Sequence, residues 1–429
     1  MNETVEVRLS APHDLVPYHL TGPASDQGVI GEIQRSGGAY QPQVMAALRR
    51  VLDPRSVVVD VGANIGVFAL VLGRLVPGGT VFAFEPDPQN YAYLRANIAR
   101  NRAANVVAEP LAVYDRAGEV AFVSVPERLS ASFVSPAPGT NGSAQQVGNP
   151  VEAVRLDDYV AARGVRRIDL VMIDAEGAEF AVLRGARTTL AVFQPALLVE
   201  VNPVSLRRVG GASFRDLVGE IAQERAVYAI TAGGHLARVV SERHVELLLR
   251  REGLVDLLCL PRGHPARHLA RPGGLQAWAR GARQVAQLEA AFSGGAPPEN
   301  NFVAEPSFSL SAPMASVWGL PDMDIDVATT VHNTGPYWLS SDFVYHPVHV
   351  SYRWLDEAGA PVEVLAHRAR FPAPLAPGAS ATVRVIVRTP PEVGFYTLAL
   401  TMLQEGFSWF DDLDPSLRFT LPAEVVAPQ

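Results

Sequence analysis

No lysine occurs in the 429 residues; all 36 basic side chains are arginine. That absence removes every chemistry built on a lysine amine. A Schiff-base enzyme, a P-loop nucleotide triphosphatase and a protein kinase all need one. Cysteine is nearly absent too, with Cys259 alone. A single thiol excludes an intrachain disulfide and any multi-cysteine zinc site. It suits a reducing compartment, so the expected location is cytoplasmic. Long apolar runs are also missing. Stretches such as IGVFALVLGRLV from Ile65 are interrupted well short of the roughly 18 residues a span requires, so no membrane span is expected. The N-terminus, MNETVEVRLSAPHDL, carries acid early and has no apolar core, so no signal peptide is expected. Histidine is scarce between residues 57 and 261, where only His235 and His244 occur.

The charge that is present is unevenly placed. Residues 1–300 hold 30 Arg and 30 acids, a balance of zero; residues 301–429 hold 6 Arg and 14 acids, which gives the whole net charge of −8. No basic stripe appears, so a nucleic-acid partner is not expected. With 48% hydrophobic and 19% charged residues the chain is globular. Its length predicts two or three domains at roughly 100–200 residues each.

All five tryptophans lie at or beyond Trp278. Between residues 262 and 305, RGHPARHLARPGG and FSGGAPPENN flank LQAWARGARQVAQLEAAF, whose apolar residues recur at helical spacing. The expected organisation follows: an N-terminal lead-in at 1–50 with a helix at 43–52, an α/β domain at 51–262, a linker with a helix at 263–304, and an all-β domain at 305–429. In the second segment, buried strands alternate with helices. VVVDV (57–61), TVFAF (80–84), NVVAEPLAV (105–113), IDLVMID (168–174), PALLVEV (195–201), AVYAI (226–230) and LVDLLCL (254–260) are the strands. Continuous apolar strands of this kind predict a parallel, doubly wound sheet covered on both faces. A Ser/Pro/Gly-rich loop is expected over 129–150.

Asp60-Val61-Gly62-Ala63-Asn64-Ile65-Gly66 follows the first of these strands and opens a helix. In such a sheet, ligands bind at the carboxyl ends of the strands. Gly62 and Gly66 let the backbone approach a ligand, and Asp60 can accept from an ammonium group. Glu85 ends the second strand, 25 residues after Asp60, and can take both hydroxyls of a ribose. A dinucleotide site would need G-x-G-x-x-G, but the spacing here is G-x-x-x-G, and a carboxylate at the turn does not suit a pyrophosphate. S-adenosyl-L-methionine, with an amino-acid tail and a ribose, suits both acids. A tight strand–helix turn without a ligand is the bland alternative.

Asp174-Ala175-Glu176-Gly177-Ala178-Glu179 leaves the fourth strand. Three carboxylates in six residues are costly to hold together unless solvated or occupied. Asp174 and Glu176 are candidates for an acceptor-facing or proton-accepting role. Glu179 reads as a helix residue, and Glu200, at the end of PALLVEV, lies on the same sheet edge. The acids of LDDY (156–159) read as caps of their own short helix. A divalent ion bridging these acids is the lesser alternative; no histidine cluster accompanies them, so no metal site is assigned. His235 reads as a loop histidine.

These segments together resemble the FkbM family of S-adenosylmethionine-dependent methyltransferases. The likeness rests on VVVDVGANIGVFAL (57–70), FAFEPDPQNYAYLRANIARN (82–101), LAV (111–113) with its following Gly118, RLDDYV (155–160), IDLVMIDAEGAEFAVLRGA (168–186) and LLVEV (197–201), about half the chain. The resemblance implies a class I methyltransferase (Rossmann-like) fold and O-methylation of a hydroxyl on a sugar, glycan or other natural product. Carried onto this chain, Asp60, Gly62, Asn64 and Gly66 would line the methionine tail, Glu85 would hold the ribose, and Asp174 and Glu176 would face the acceptor.

Beyond residue 305, period-2 strands divided by AsnThrGly, GluAlaGly, AlaProGly and GluValGly turns predict an immunoglobulin-like β-sandwich. Its pattern resembles sandwich modules that accompany bacterial glycan-modifying enzymes. Trp338, Tyr345, Trp354, Trp409 and Phe410 are candidates for a sugar-stacking platform, or else they fill the core. Two readings stand at this stage: an O-methyltransferase whose sandwich recruits a glycan, a pathway partner or a second copy of the chain; or a methyltransferase-fold scaffold or glycan-binding protein without activity. Asp60, Gly62, Gly66 and Glu85 all in place favour the first.

Overall fold

The structure is a computed structural model. It describes residues 4–11, 16–123, 133–135, 149–231, 234–261, 273–293, 296–298, 300–343, 346–405 and 407–427. The 129–150 loop expectation and Tyr345 fall wholly or largely outside these residues. The chain forms two compact units, one from residues 1–140, 145–246 and 254–286, the other from 247–253 and 287–429.

The first unit is organised by one eight-stranded sheet. Its strands in chain order are β1 (Val57–Val61), β2 (Thr80–Phe84), β3 (Val106–Glu109), β4 (Leu170–Ile173), β5 (Ala196–Val201), β6 (Arg225–Ile230), β7 (Leu236–Arg238) and β8 (Val255–Pro261). In space they run β7-β6-β8-β5-β4-β1-β2-β3. The strands β3-β2-β1-β4-β5 are parallel, with Val59 opposite both Val171 and Phe82. This is the order of a doubly wound sheet, whose switch point lies between β1 and β4. Strand β8 enters antiparallel between β5 and β6. The whole is the α/β sheet expected of a class I methyltransferase fold.

Sequence accounts for these elements directly. Every residue of β4 is buried, as are four of the five in β1, because helices cover both faces. The helix Val67–Leu75 is buried from Val67 to Gly73 and is apolar nearly all round, as a central helix must be. The helix Pro88–Arg100 starts at Asp87, whose carboxylate accepts the N–H groups of Gln89 and Asn90; Pro88 takes the first helical position, where its missing N–H costs nothing.

Residues 1–50 hold more than a lead-in. A hairpin, Thr4–Leu9 with Tyr18–Pro23, precedes helices Val29–Arg35 and Pro42–Val51. Asn97 ties the hairpin to the helix Pro88–Arg100. Its Oδ1 accepts from Thr21 N–H at 2.8 Å, and its Nδ2 donates to the Thr21 and Ile65 carbonyls at 3.0 and 2.8 Å. The Asp26 carboxylate accepts the N–H groups of Gly28, Val29 and Ile30 and so caps the next helix. The N-terminal segment is thereby fixed against the helix Pro88–Arg100, and Val29 and Tyr40 from it line the cleft described below. A separate four-stranded sheet containing Ala112–Val113 and Gly118–Val123 brings Ala112, Val113 and Phe122 to the cleft.

The second unit is all-β apart from short helical turns and the ends of the helices Glu242–Glu252 and Gly273–Ser293. A three-stranded sheet, Phe308–Ser311, Asp324–Asn333 and Ser380–Arg388, shares one apolar core with a larger sheet built on Val348–Leu355, Gly394–Gln404 and Phe419–Val425. Trp354 and Phe410, each 1% exposed, belong to that core and are not available to stack on a sugar. The Trp354 indole donates to the Arg388 carbonyl at 2.7 Å. Trp409 is half-buried under the Arg353 guanidinium, 4.4 Å above its ring. No helix among the described residues is long and apolar enough to cross a membrane.

Candidate active site

The turn after β1 is a backbone solution to close packing. Gly62 has φ 85° and Gly66 φ 95°. A Cβ on Gly62 would lie 1.9 Å from the Asp174 carbonyl oxygen, so only glycine lets the β1 and β4 exits meet. Asn64 is also left-handed, at φ 51°, and its Oδ1 accepts from Ile65 N–H at 2.7 Å. The Gly62 and Ala63 N–H groups both donate to the Phe84 carbonyl, which locks the turn to the end of β2.

Two acids stand at this junction. Asp60 is 2% exposed, and its Oδ2 has no hydrogen-bond partner among the described residues. Burial, with the charge of Asp174 beside it, pushes its carboxyl up to about 7. Glu85 is also buried. Its Oε2 accepts from Asn64 N–H at 2.8 Å and its Oε1 from Asp87 N–H at 2.9 Å. Burial outweighs these bonds and pushes its carboxyl up to about 8. The Oδ1 of buried Asn90 is a third acceptor, unpartnered among the described residues. All three residues line one cleft. Two buried acceptors without donors, Asp60 Oδ2 and Asn90 Oδ1, beside a buried carboxylate are unusual in a folded protein and call for a ligand rich in donors.

The adjoining exit of β4 carries the second constellation. Asp174 leaves β4; Glu176 follows in a left-handed conformation at φ 45°, and Gly177 at φ 101°. A Cβ on Gly177 would lie 2.2 Å from the Ser205 carbonyl, so this loop too is held by glycine. Glu176 Oε2 accepts from the Ser205 hydroxyl at 3.0 Å. Glu179 begins the helix Glu179–Gly185, as its position predicts, and its Oε1 accepts the Ala175 and Gly177 N–H groups at 3.3 and 3.0 Å. Glu200, near the end of β5, stands beside them. Oxygens of Asp174, Glu176 and Glu200 all lie within 4.8 Å of one another. Burial pushes Asp174 up to about 6. Burial, then the charge of Asp174, raises Glu176 and Glu200 well above the usual range.

The acid at the end of β3 behaves differently. Glu109 accepts from the Tyr159 hydroxyl at 2.8 Å and pairs with the Arg163 guanidinium. It is a paired, structural carboxylate. Asp60, Glu85, Asp174, Glu176 and Glu200 make no such ion pair among the described residues.

Tyr40 is a site residue that the sequence patterns do not single out. It lines the cleft, and its hydroxyl sits near Asp174, Glu32, Glu200 and Asp256. Burial, then those charges, raises it well above the ordinary phenol value. No motif surrounds it; it reaches the cleft only because the N-terminal helices fold over the sheet edge. The acids of LDDY are also not caps of their own helix. Asp157 instead accepts from Thr188 and Thr189 N–H at 3.1 and 2.7 Å, capping the neighbouring helix Arg187–Phe193. Burial works against its ionisation, but these bonds hold its carboxyl below the usual range.

Residues 60–229 match the model of the methyltransferase FkbM domain. Among curated proteins, the chain is 39% identical over 158 residues to the 31-O-demethyl-FK506 methyltransferase FkbM of Streptomyces tacrolimicus, covering 31% of this chain and 60% of that one. It is 30% identical over 198 residues to methyltransferase sdnD of Sordaria araneosa, covering 40% of this chain and 76% of that one. It is 30% identical over 165 residues to the 2-O-methyltransferase NoeI of Sinorhizobium fredii, covering 34% and 63%. The matched region therefore spans less than two thirds of the first relative's length.

Proposed function

This chain belongs to the FkbM methyltransferase family, and from that premise we propose that it moves the methyl group of S-adenosylmethionine onto a hydroxyl of a sugar or other natural product held in the cleft. The observation that carries this reading is the buried, unpartnered Oδ2 of Asp60 in one cleft with Glu85 and the Asp174–Glu176 loop. The residues present fit the cofactor. Asp60 would receive the ammonium of the methionine tail, the turn from Gly62 to Gly66 would lie along that tail, and Glu85 would accept from the ribose hydroxyls. The cofactor supplies a methyl group on a sulfonium, which is displaced in line by the acceptor oxygen.

The chain's own residues then do three things. They place the acceptor oxygen about 3 Å from the methyl carbon, where positioning supplies much of the rate. They exclude water from the two buried walls. Asp174 takes the hydroxyl proton as the new oxygen–carbon bond forms, and a carboxyl pushed up to about 6 is a stronger base than an exposed one while still ionised at neutral pH. Asp60, Gly62, Gly66 and Glu85 are all intact, which supports activity over an inactive scaffold.

Methyl-labelled S-adenosylmethionine and a panel of hydroxylated acceptors test the reaction type. The expected product is an ether whose label survives alkali. Label released as methanol by alkali would show a carboxyl ester and contradict hydroxyl transfer.

Cofactor binding should also depend on pH. The ammonium needs ionised Asp60. With a carboxyl near 7, the ionised share falls from about three quarters at pH 7.5 to about a tenth at pH 6. Affinity should drop roughly eightfold over that interval from Asp60 alone, and Glu85 acts in the same direction. Calorimetry in buffers of different ionisation heat should show proton release on binding. Equal affinity at the two pH values would place the tail away from Asp60.

A further inference from the structure

The methyl donor brings positive charge to Asp60, on one wall of the cleft. Beside it stand three more carboxyls, Asp174, Glu176 and Glu200, and no cationic side chain pairs with them among the described residues. One oxygen from each of Asp174, Glu176 and Glu200 lies within 4.8 Å of the others. Hard divalent cations bind carboxylate oxygens at about 2.0–2.6 Å, so two ligands of one ion are never more than about 5 Å apart. The three oxygens already meet that limit. The donor set is all oxygen, without histidine or thiolate, which suits Mg²⁺, Mn²⁺ or Ca²⁺ rather than a softer metal.

A second observation is independent of the three. Glu179 is 3% exposed, and its Oε2 has no hydrogen-bond partner among the described residues. Its other oxygen is fixed to the N–H groups on either side of Glu176, so the carboxylate lies against the same loop. Its charge bears on both Glu176 and Glu200. A buried carboxylate oxygen left unpaired beside three more acids is costly unless a cation lies among them.

We propose that Asp174, Glu176 and Glu200 hold one divalent cation on the acceptor wall, with the Glu179 carboxylate behind the loop as a further balancing charge. The proposal rests on the reading of the cleft as a methyl-transfer site and deepens it. The cation offsets the mutual repulsion of the three carboxylates. Its remaining positions take oxygens of the acceptor, so the acceptor class is one with an oxygen beside the methylated hydroxyl, such as a vicinal diol. A hydroxyl bound there loses its proton to a neighbouring carboxylate more readily than a free one.

The test uses the full chain, stripped of metal, with Mn²⁺ as the probe and paramagnetic resonance as the readout, in the absence of acceptor. One saturable site is expected below about 1 mM. Glu176→Gln and Glu200→Gln should each weaken it by about tenfold or more while leaving S-adenosylmethionine affinity unchanged. The thermal midpoint of each metal-free variant should equal or exceed that of the wild type, because a repelling charge is gone; this separates a lost ligand from a lost fold. No saturable Mn²⁺ site in a wild type that still binds S-adenosylmethionine overturns the cation proposal and leaves the transferase reading standing. Loss of S-adenosylmethionine binding in the wild type would instead overturn that reading.

Discussion

Asparagine at position 174 is expected to lower turnover about 10²–10⁴-fold while cofactor affinity stays close to wild type. Asp174 holds its place through its main chain, which contacts Gly62 directly and pairs Asp174 N–H with the Val61 carbonyl. An amide of the same shape leaves that packing intact. It cannot accept the hydroxyl proton, and it is a poorer cation ligand than a carboxylate. A second readout separates loss of the base from general damage. The Asp174 charge helps to raise Asp60, so the variant should ionise Asp60 at a lower pH, and the pH dependence of cofactor binding should shift down with it. Steady-state transfer and calorimetry at several pH values measure both. Wild-type turnover in the variant would move the base to Glu176, Glu200 or solvent.

The parts of this site that sequence made legible are those in which local backbone demands leave a residue pattern. The turn from Asp60 to Gly66 shows because β1 is a short apolar run, the helix after it has its own period, and packing against Asp174 admits only glycine at 62. Glu85 shows because Pro86 and Pro88 punctuate the end of β2 and the start of a capped helix. Residues brought in by chain path leave no such trace. Tyr40 and Glu32 reach the acids through a hairpin held by Asn97 and Asn101, and neither the hairpin nor its two asparagine clamps carries a periodic signal. Asp157 stands where a cap of its own helix would stand, yet it caps the helix Arg187–Phe193, because that N-terminus lies nearer in space. The segment LVDLLCL reads as one more strand, but its antiparallel position between β5 and β6 depends on the return path of the chain. In the second unit, strand alternation predicts Trp354 in the core, and the structure agrees. The acids of GFSWFDD favour exposure at Trp409; the structure half-buries Trp409 and places Phe410 beside it in the core.

The central claim is that S-adenosylmethionine lies across the Asp60 turn with its ribose on Glu85. Calorimetric titration of S-adenosylmethionine into the full wild-type chain and its Glu85→Ala variant tests this most directly. Hydrogen bonds to a charged group are worth about 1.5–3 kcal/mol, so the variant should bind roughly 10- to 150-fold more weakly. Glu85 also holds the Asn64 and Asp87 N–H groups, so Glu85→Gln is measured beside it to show how much of the loss comes from the turn itself. A gel-filtration profile and thermal midpoint near wild type confirm the fold. The account predicts micromolar binding by the wild type and a severe loss in Glu85→Ala. Equal affinity of Glu85→Ala and wild type would contradict it and place the ribose elsewhere.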